Sequence, residues 1–138
     1  MRLLLDTHIW LWYLQGSDRL SIELQGKIED PKVQIWLSPI SIWETLMLAE
    51  KGRINLGKLP QQWISDALKV LEVREAPLNN DIAILSRVIQ LPHQDPADRF
   101  IAATALYYDL LLATVDRNLT ASEHQLRAIT PRYWETTA

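Results

Sequence analysis

Four carboxylates occupy positions suited to chemistry: Asp6, Glu44, Asp98 and Asp116. Asp6 follows Leu3-Leu4-Leu5, and Asp116 follows Leu111-Leu112-Ala113-Thr114-Val115, so each is the first acid after an apolar run. In open parallel α/β sheets, ligands bind outside the carboxyl ends of the strands. Glu44 lies among Ile40, Ile42, Trp43, Leu46 and Met47. A glutamate on a partly buried face is costly unless paired or bound to a cation. Asp98 belongs to Asp95-Pro96-Ala97-Asp98-Arg99. There Asp95 reads as a helix N-cap with proline at the first helical position, and Asp98 falls at the third. Each acid alone also has a plainer explanation: a turn or helix cap for Asp6 and Asp116, a solvent-facing position for Glu44, a charge complementing the helix dipole for Asp98.

Taken together, three acids stand at the ends of elements on one rim, and a fourth stands one turn into a helix. Carboxylates this close repel and raise one another's pKa. The usual remedy is a hard cation; Mg²⁺ and Mn²⁺ suit carboxylate oxygens and keep waters in their shell. Such a site can activate a water and stabilise the leaving oxygen of a phosphodiester.

The elements that must position these acids alternate. Apolar or β-branched runs at 2–6, 33–37 and 110–115 read as buried strands, with shorter ones at 73–78 and 127–130. Between them, helices are expected over 8–15, capped by Thr7, and over 21–30. Further helices are expected over 38–51, opened by Ser38-Pro39, over 61–70 behind Pro60, over 80–90 and over 95–108. Ile82, Leu85, Val88 and Ile89 form the apolar face of the fifth of these. Ala97, Ala102, Ala103 and Ala105 let the last one approach the sheet closely. Short apolar strands separated by helices specify a parallel sheet covered on both faces, an α/β chain with three α/β/α layers. No repeat, linker or low-complexity segment divides residues 1–138, which read as a single domain.

Composition agrees. The 138 residues are 48% hydrophobic and 22% charged, enough for one core and too mixed for disorder. No apolar run approaches the length of a membrane span. The apolar start is interrupted by Asp6 and His8 and lacks a cleavage site, so it is not read as a signal peptide. The absence of cysteine excludes disulfides and thiolate metal sites and fits a cytoplasmic protein. A net charge of −3 weighs against a simple nucleic-acid-binding module. It weighs less against a nuclease, because bound divalent cations offset acids.

The blocks LLLDTHIWLW, SPISIWE, DPADRFIAATA and LLATVDRNL, in that order and spacing, resemble those of PIN-domain nucleases, and of the VapC-type toxins of toxin–antitoxin pairs in particular. The resemblance runs from Met1 to about Thr130. It implies a PIN-like α/β/α fold and Mg²⁺- or Mn²⁺-dependent cleavage of RNA. It also implies a homodimer and a small cognate antitoxin. The family's four acids fall on Asp6, Glu44, Asp98 and Asp116, as metal ligands and catalytic residues, and its accompanying hydroxyl falls on Thr114 in a supporting role. Many relatives carry Asn or Ser where this chain has His8, so His8 reads as a surface or capping residue. His93 and His124 lack metal-ligand spacing. Arg99 and Arg117 adjoin proposed ligands and could meet phosphate, or serve as surface or structural ion-pair residues.

Two other classes compete. A phospho-accepting or phosphatase domain also places Asp after its first strand. A dehalogenase-type site needs a second Asp where His8 stands, however, and a receiver domain needs a late Lys, whereas none follows Lys69. A PIN-like module without activity, serving only as an interaction partner, is countered by retention of all four acids. Ile9-Trp10-Leu11-Trp12-Tyr13-Leu14 is apolar around the whole helix, and the surplus suggests a surface for a second copy or an antitoxin.

Overall fold

Leu3, Leu4 and Leu5 are entirely buried, and they alternate between two separate cores. They belong to strand β1 (Arg2–Leu5), the centre of the sheet. A computed structural model describes residues 1–91 and 95–115, together with the backbone of 128–129. After β1 come helices α1 (Thr7–Gln15) and α2 (Ile22–Glu29), strand β2 (Gln34–Leu37), and helices α3 (Pro39–Glu50) and α4 (Pro60–Val70). Strand β3 (Arg74–Glu75) leads to the helices α5 (Asn80–Val88) and α6 (Pro96–Tyr107), then strands β4 (Leu111–Ala113) and β5 (Ala128–Ile129).

All four strand pairings are parallel, in the order β3-β2-β1-β4-β5. Leu3 and Leu5, with Ile35, Leu37, Leu111 and Ala113, face a core closed by Ile9, Trp10, Leu24, Ile28 and Ile64 from α1, α2 and α4. Leu4, Trp36 and Leu112 face the other core, closed mainly by Ile101, Ala102 and Ala105 of α6. This is the expected three-layer α/β/α architecture. Burying one leucine is worth about 1.5–3 kcal/mol, so β1 anchors both layers. No helix among the described residues is long and apolar enough to cross a membrane.

Helix boundaries follow the caps. Ser21, Ser38, Asn79 and Asp95 each accept a backbone N–H of the helix they open, and Pro39 and Pro96 take the first helical positions. Gly16 ends α1 with φ 63°, a left-handed conformation that glycine adopts without strain. The first helix differs from expectation: its N-cap is Asp6, whose Oδ1 accepts the N–H of Ile9 at 3.0 Å, while Thr7 is already helical. Val88 also departs from the expected apolar face of α5, being 62% exposed, because the buried row of that helix runs through Ile82, Ser86 and Ile89.

Half of the apolar surplus of α1 turns fully inward. Ile9, Trp10 and Leu11 are buried, and Trp12, Tyr13 and Leu14 pack half-buried on the same core. Exposed apolar side chains lie elsewhere, with Trp43 on α3, Leu68 and Val70 on α4, and Ile84 and Val88 on α5 among them.

Two arginines secure helix C-termini. Arg2 donates to the carbonyls of Tyr108 (2.9 Å) and Asp109 (3.1 Å), closing the end of α6. Arg99, buried in α6, donates to carbonyls at the end of α5. Cations there complement the helix dipole and satisfy carbonyls that lack helical partners.

Candidate active site

The strand order reverses between β1 and β4, since the chain fills one side of β1 with β2 and β3 before crossing to β4 and β5. Such a reversal opens a crevice at the carboxyl ends of the two strands. Asp6 stands there. Its N–H continues the ladder to the carbonyl of Ala113 at 2.9 Å, and its Oδ2 accepts the N–H of Val115 at 3.1 Å. The hydroxyl of Thr114 is a further hydrogen-bond partner of the Asp6 carboxylate. Asp6 is therefore a buried carboxylate held by neutral donors from the start of α1 and from the segment that follows β4. Burial pushes its pKa above the ordinary carboxylate range; the bonds from Thr114, Ile9 and Val115, and the charge of His8, oppose that shift without cancelling it.

Helices α1 and α3 follow parallel strands, and α6 precedes one, so all three begin at this rim. Asp98 occupies the third position of α6, in its first turn, and Glu44 the sixth position of α3; both are half-buried. Helix α3 packs against both α1 and α6. Among the described residues, no three Asp, Glu or His side chains converge as a cluster able to hold a metal ion. Asp116, the next residue after Val115 in the chain, lies outside the described residues, as do His93, Arg117 and His124. His8 is exposed, beside the edge of Trp12. Asp95 caps α6 through Ala97 (2.9 Å) and Asp98 (3.3 Å), in keeping with its exclusion from the acid set.

A hydroxyl chain that sequence reasoning missed supports the rim. Thr7 Oγ1 donates to Ser41 Oγ at 3.1 Å, and Thr45 Oγ1 donates to the carbonyl of Ser41 at 2.8 Å, with all three residues buried. It joins the residue after Asp6 to the helical turn that carries Glu44. The available signal was the recurrence of small hydroxyl residues, Ser41 and Thr45, four apart in an otherwise apolar helix. Beside this rim an apolar cavity of about 480 Å³ is lined by Leu37, Pro39, Ile42, Trp43, Leu46 and Leu68, among others. Asp6, Glu44 and Asp98 are absent from its lining.

The PIN domain family model matches residues 3–123, nearly the whole chain. The chain belongs to the PIN domain family. This PIN domain is 32% identical over 124 residues to Ribonuclease VapC22 of Mycobacterium tuberculosis, an alignment covering 88% of the chain and 92% of that protein. Its fold is similar to VapBC2 from Rickettsia felis bound to a promoter DNA fragment. That match has a TM-score of 0.67 at 15% identity, across 98% of this chain and 100% of that one. A toxin–antitoxin complex from Klebsiella pneumoniae matches with a TM-score of 0.61 at 23% identity, across 96% and 98% of the two chains. At these identities the two structures speak for the fold alone.

Proposed function

We propose that this PIN domain is a divalent-metal-dependent endoribonuclease, the toxin of a toxin–antitoxin pair, with Asp6, Glu44, Asp98 and Asp116 as its working acids. The observation carrying this reading is the Asp6 carboxylate, buried at the β1–β4 crevice although burial opposes its charge. Likeness to a protein named a ribonuclease supports RNA as substrate.

The donor chemistry fits Mg²⁺ or Mn²⁺: hard carboxylate oxygens at a strand-end crevice, and no thiolates. Asp6, Asp98 and Asp116 would hold the cation, and Glu44 would hold it or orient the attacking water. When bound, the cation supplies Lewis-acid stabilisation of the charge that develops on the phosphodiester. Thr114 and the N–H groups of Ile9 and Val115 fix the rotamer of Asp6, and the Thr7–Ser41 pair sets α3 against α1.

A cognate antitoxin is the proposed partner, supported by the toxin–antitoxin complexes that share this fold. Homodimerisation of the chain is proposed with it, in the cytoplasm. The exposed apolar side chains of α3, α4 and α5, with the half-buried Trp12, Tyr13 and Leu14 of α1, offer surface for either.

The test is cleavage of RNA by purified protein with Mg²⁺ or Mn²⁺, with and without chelator. Chelator-sensitive cleavage that is lost in Asp6→Asn supports the reading. Metal-independent cleavage, or none by a folded protein freed of antitoxin, overturns it.

A further inference from the structure

Arg99 adjoins Asp98 in sequence, and its side chain runs into the protein toward α5. It is 4% exposed, in a helix whose other inward residues are small or apolar. Its Nε donates to the carbonyl of Ser86 at 2.8 Å, and one terminal nitrogen donates to the carbonyls of Arg87 and Ile89. Ser86 and Arg87 lie in the last turn of α5, and Ile89 is its C-cap. A planar guanidinium can serve several carbonyls at once, and its charge complements the negative end of the helix. Arg99 therefore bolts the first turn of α6 to the last turn of α5 from inside the protein. Phosphate contact, one of the roles open to Arg99 in the sequence, is inconsistent with this placement.

Consecutive side chains leave a helix about 100° apart, as 3.6 residues per turn requires. With Arg99 fixed inward, Asp98 is turned toward the half-buried flank of the same turn. Any rotation or fraying of that turn moves the Asp98 carboxylate. Asp95 caps the turn by hydrogen bonds to Ala97 and Asp98, but its side chain is exposed, so the internal restraint comes from Arg99.

We propose that Arg99 is a positioning residue for the acid site, setting the place of Asp98 through the first turn of α6 and thereby the affinity for the divalent cation. The proposal rests on the assignment of Asp98 as a metal ligand. Arg99→Lys keeps the charge but loses the fork; Arg99→Gln keeps polar donors without charge. Arg2→Lys is the control, because Arg2 caps the far end of α6 in a comparable way.

The experiment measures Mn²⁺ binding by electron paramagnetic resonance in wild type, these three variants, Asp98→Asn and the Asp98→Asn/Arg99→Lys double variant. All are held well below their melting temperatures, and RNA cleavage is followed in parallel. Arg99→Lys and Arg99→Gln are expected to weaken Mn²⁺ binding by about tenfold, the lower end of what supporting residues contribute to metal sites. Arg2→Lys should leave binding unchanged. In the Asp98→Asn background, Arg99→Lys should add little, because coupled residues are not additive. The KM for RNA should change far less than the Mn²⁺ dependence. Wild-type Mn²⁺ affinity in both Arg99 variants, an equal loss in Arg2→Lys, or full additivity with Asp98→Asn overturns the proposal. Failure of both Arg99 variants to fold at low temperature also overturns it, assigning Arg99 to stability alone. A wild-type protein that neither binds Mn²⁺ nor cleaves RNA sinks the nuclease reading itself, a result distinct from all of these.

Discussion

Asp6 Oδ2 accepts the backbone N–H of Val115 at 3.1 Å, joining residues 109 positions apart, while Oδ1 of the same carboxylate caps α1. One side chain thus closes the β1–β4 crevice and starts a helix. In Asp6→Asn the amide has a single acceptor oxygen, so one of these N–H groups loses its bond, at about 1–3 kcal/mol. Relief of a buried charge offsets part of that. The variant should still unfold cooperatively in urea, yet cleave RNA roughly a hundredfold more slowly or worse, beyond the usual cost of losing a supporting residue at a metal site. Cleavage at the wild-type rate, in preparations free of contaminating nuclease, would rule out Asp6 as a working acid.

Metal binding should also appear as stability. A ligand that binds only the folded state at a hundred times its Kd adds about 2.7 kcal/mol. Saturating Mn²⁺ should raise the melting temperature of wild type, and chelator should reverse the shift. Asp6→Asn should show a much smaller rise. Equal shifts in the two proteins would place the cation elsewhere.

The Thr7–Ser41 hydrogen bond predicts coupling between α1 and α3. Thr7→Val leaves the buried Ser41 hydroxyl without that partner and should cost about 1–3 kcal/mol. Ser41→Ala should behave similarly, whereas the double variant should lose clearly less than the sum. Urea denaturation of the four proteins gives the coupling directly; additivity within about 0.5 kcal/mol would mean the pair does not act as a unit.

Asp66 governs part of the acid limb of stability. Lys58 Nζ lies 2.8 Å from its Oδ2, and Gln62 donates to Oδ1 at 2.9 Å. These partners hold its carboxyl below the ordinary value near 3.8. Because the folded-state pKa is depressed, the stabilisation is present above that ordinary value and is lost as pH falls through the folded pKa. Both side chains are solvent-exposed to a large degree, so the effect is small and weakened by salt. Wild type should exceed Asp66→Asn in melting temperature at pH 6, with the gap closing below pH 3.8. A gap that persists undiminished at pH 2 would contradict it.

Trp10 is fully buried, edge-on to Trp63 with centroids 5.6 Å apart, and its indole N–H has no hydrogen-bond partner among the described residues. Trp10→Ala should cost about 3–5 kcal/mol through lost burial and the cavity left behind. Trp10→Phe, which keeps a ring and removes the orphaned donor, should cost less than half as much by urea denaturation. Equal losses would show that the N–H matters more than the ring.

Much of the fold was legible because its punctuation is chemical. Ser21, Ser38-Pro39 and Asp95-Pro96 announce helix starts through caps that need only local sequence. The Leu3-Leu4-Leu5 run could be read as a strand buried on both faces. What depended on packing was less visible. The cap of α1 proved to be Asp6, whose Oδ1 accepts the N–H of Ile9, while the Thr7 hydroxyl donates to Ser41, 34 positions away, a pairing that local sequence does not show. How much of the apolar wrap of α1 the core takes up could not be read from one helix: Ile9, Trp10 and Leu11 are buried, while Trp12, Tyr13 and Leu14 stay half-buried. Arg99 had a usable signal, since it shares a helical face with Ala102 and Ala103, yet its partners are backbone carbonyls that no residue type announces. For the acids, the strand order was enough to put Asp6 at the carboxyl end of β1, but where Glu44 and Asp98 stand relative to it depends on how α3 and α6 seat against the sheet.

The division of Leu3, Leu4 and Leu5 between two cores has a consequence for how the molecule opens. Neither helical layer can detach without uncovering one side of β1, so the amides of that strand should exchange with solvent only when the whole domain unfolds. The exposed ends of α4 and α5 should exchange through local fraying. Asp6 directly follows β1, so the acid would be mounted on the slowest-exchanging segment of the chain, apart from the helix ends that fray first.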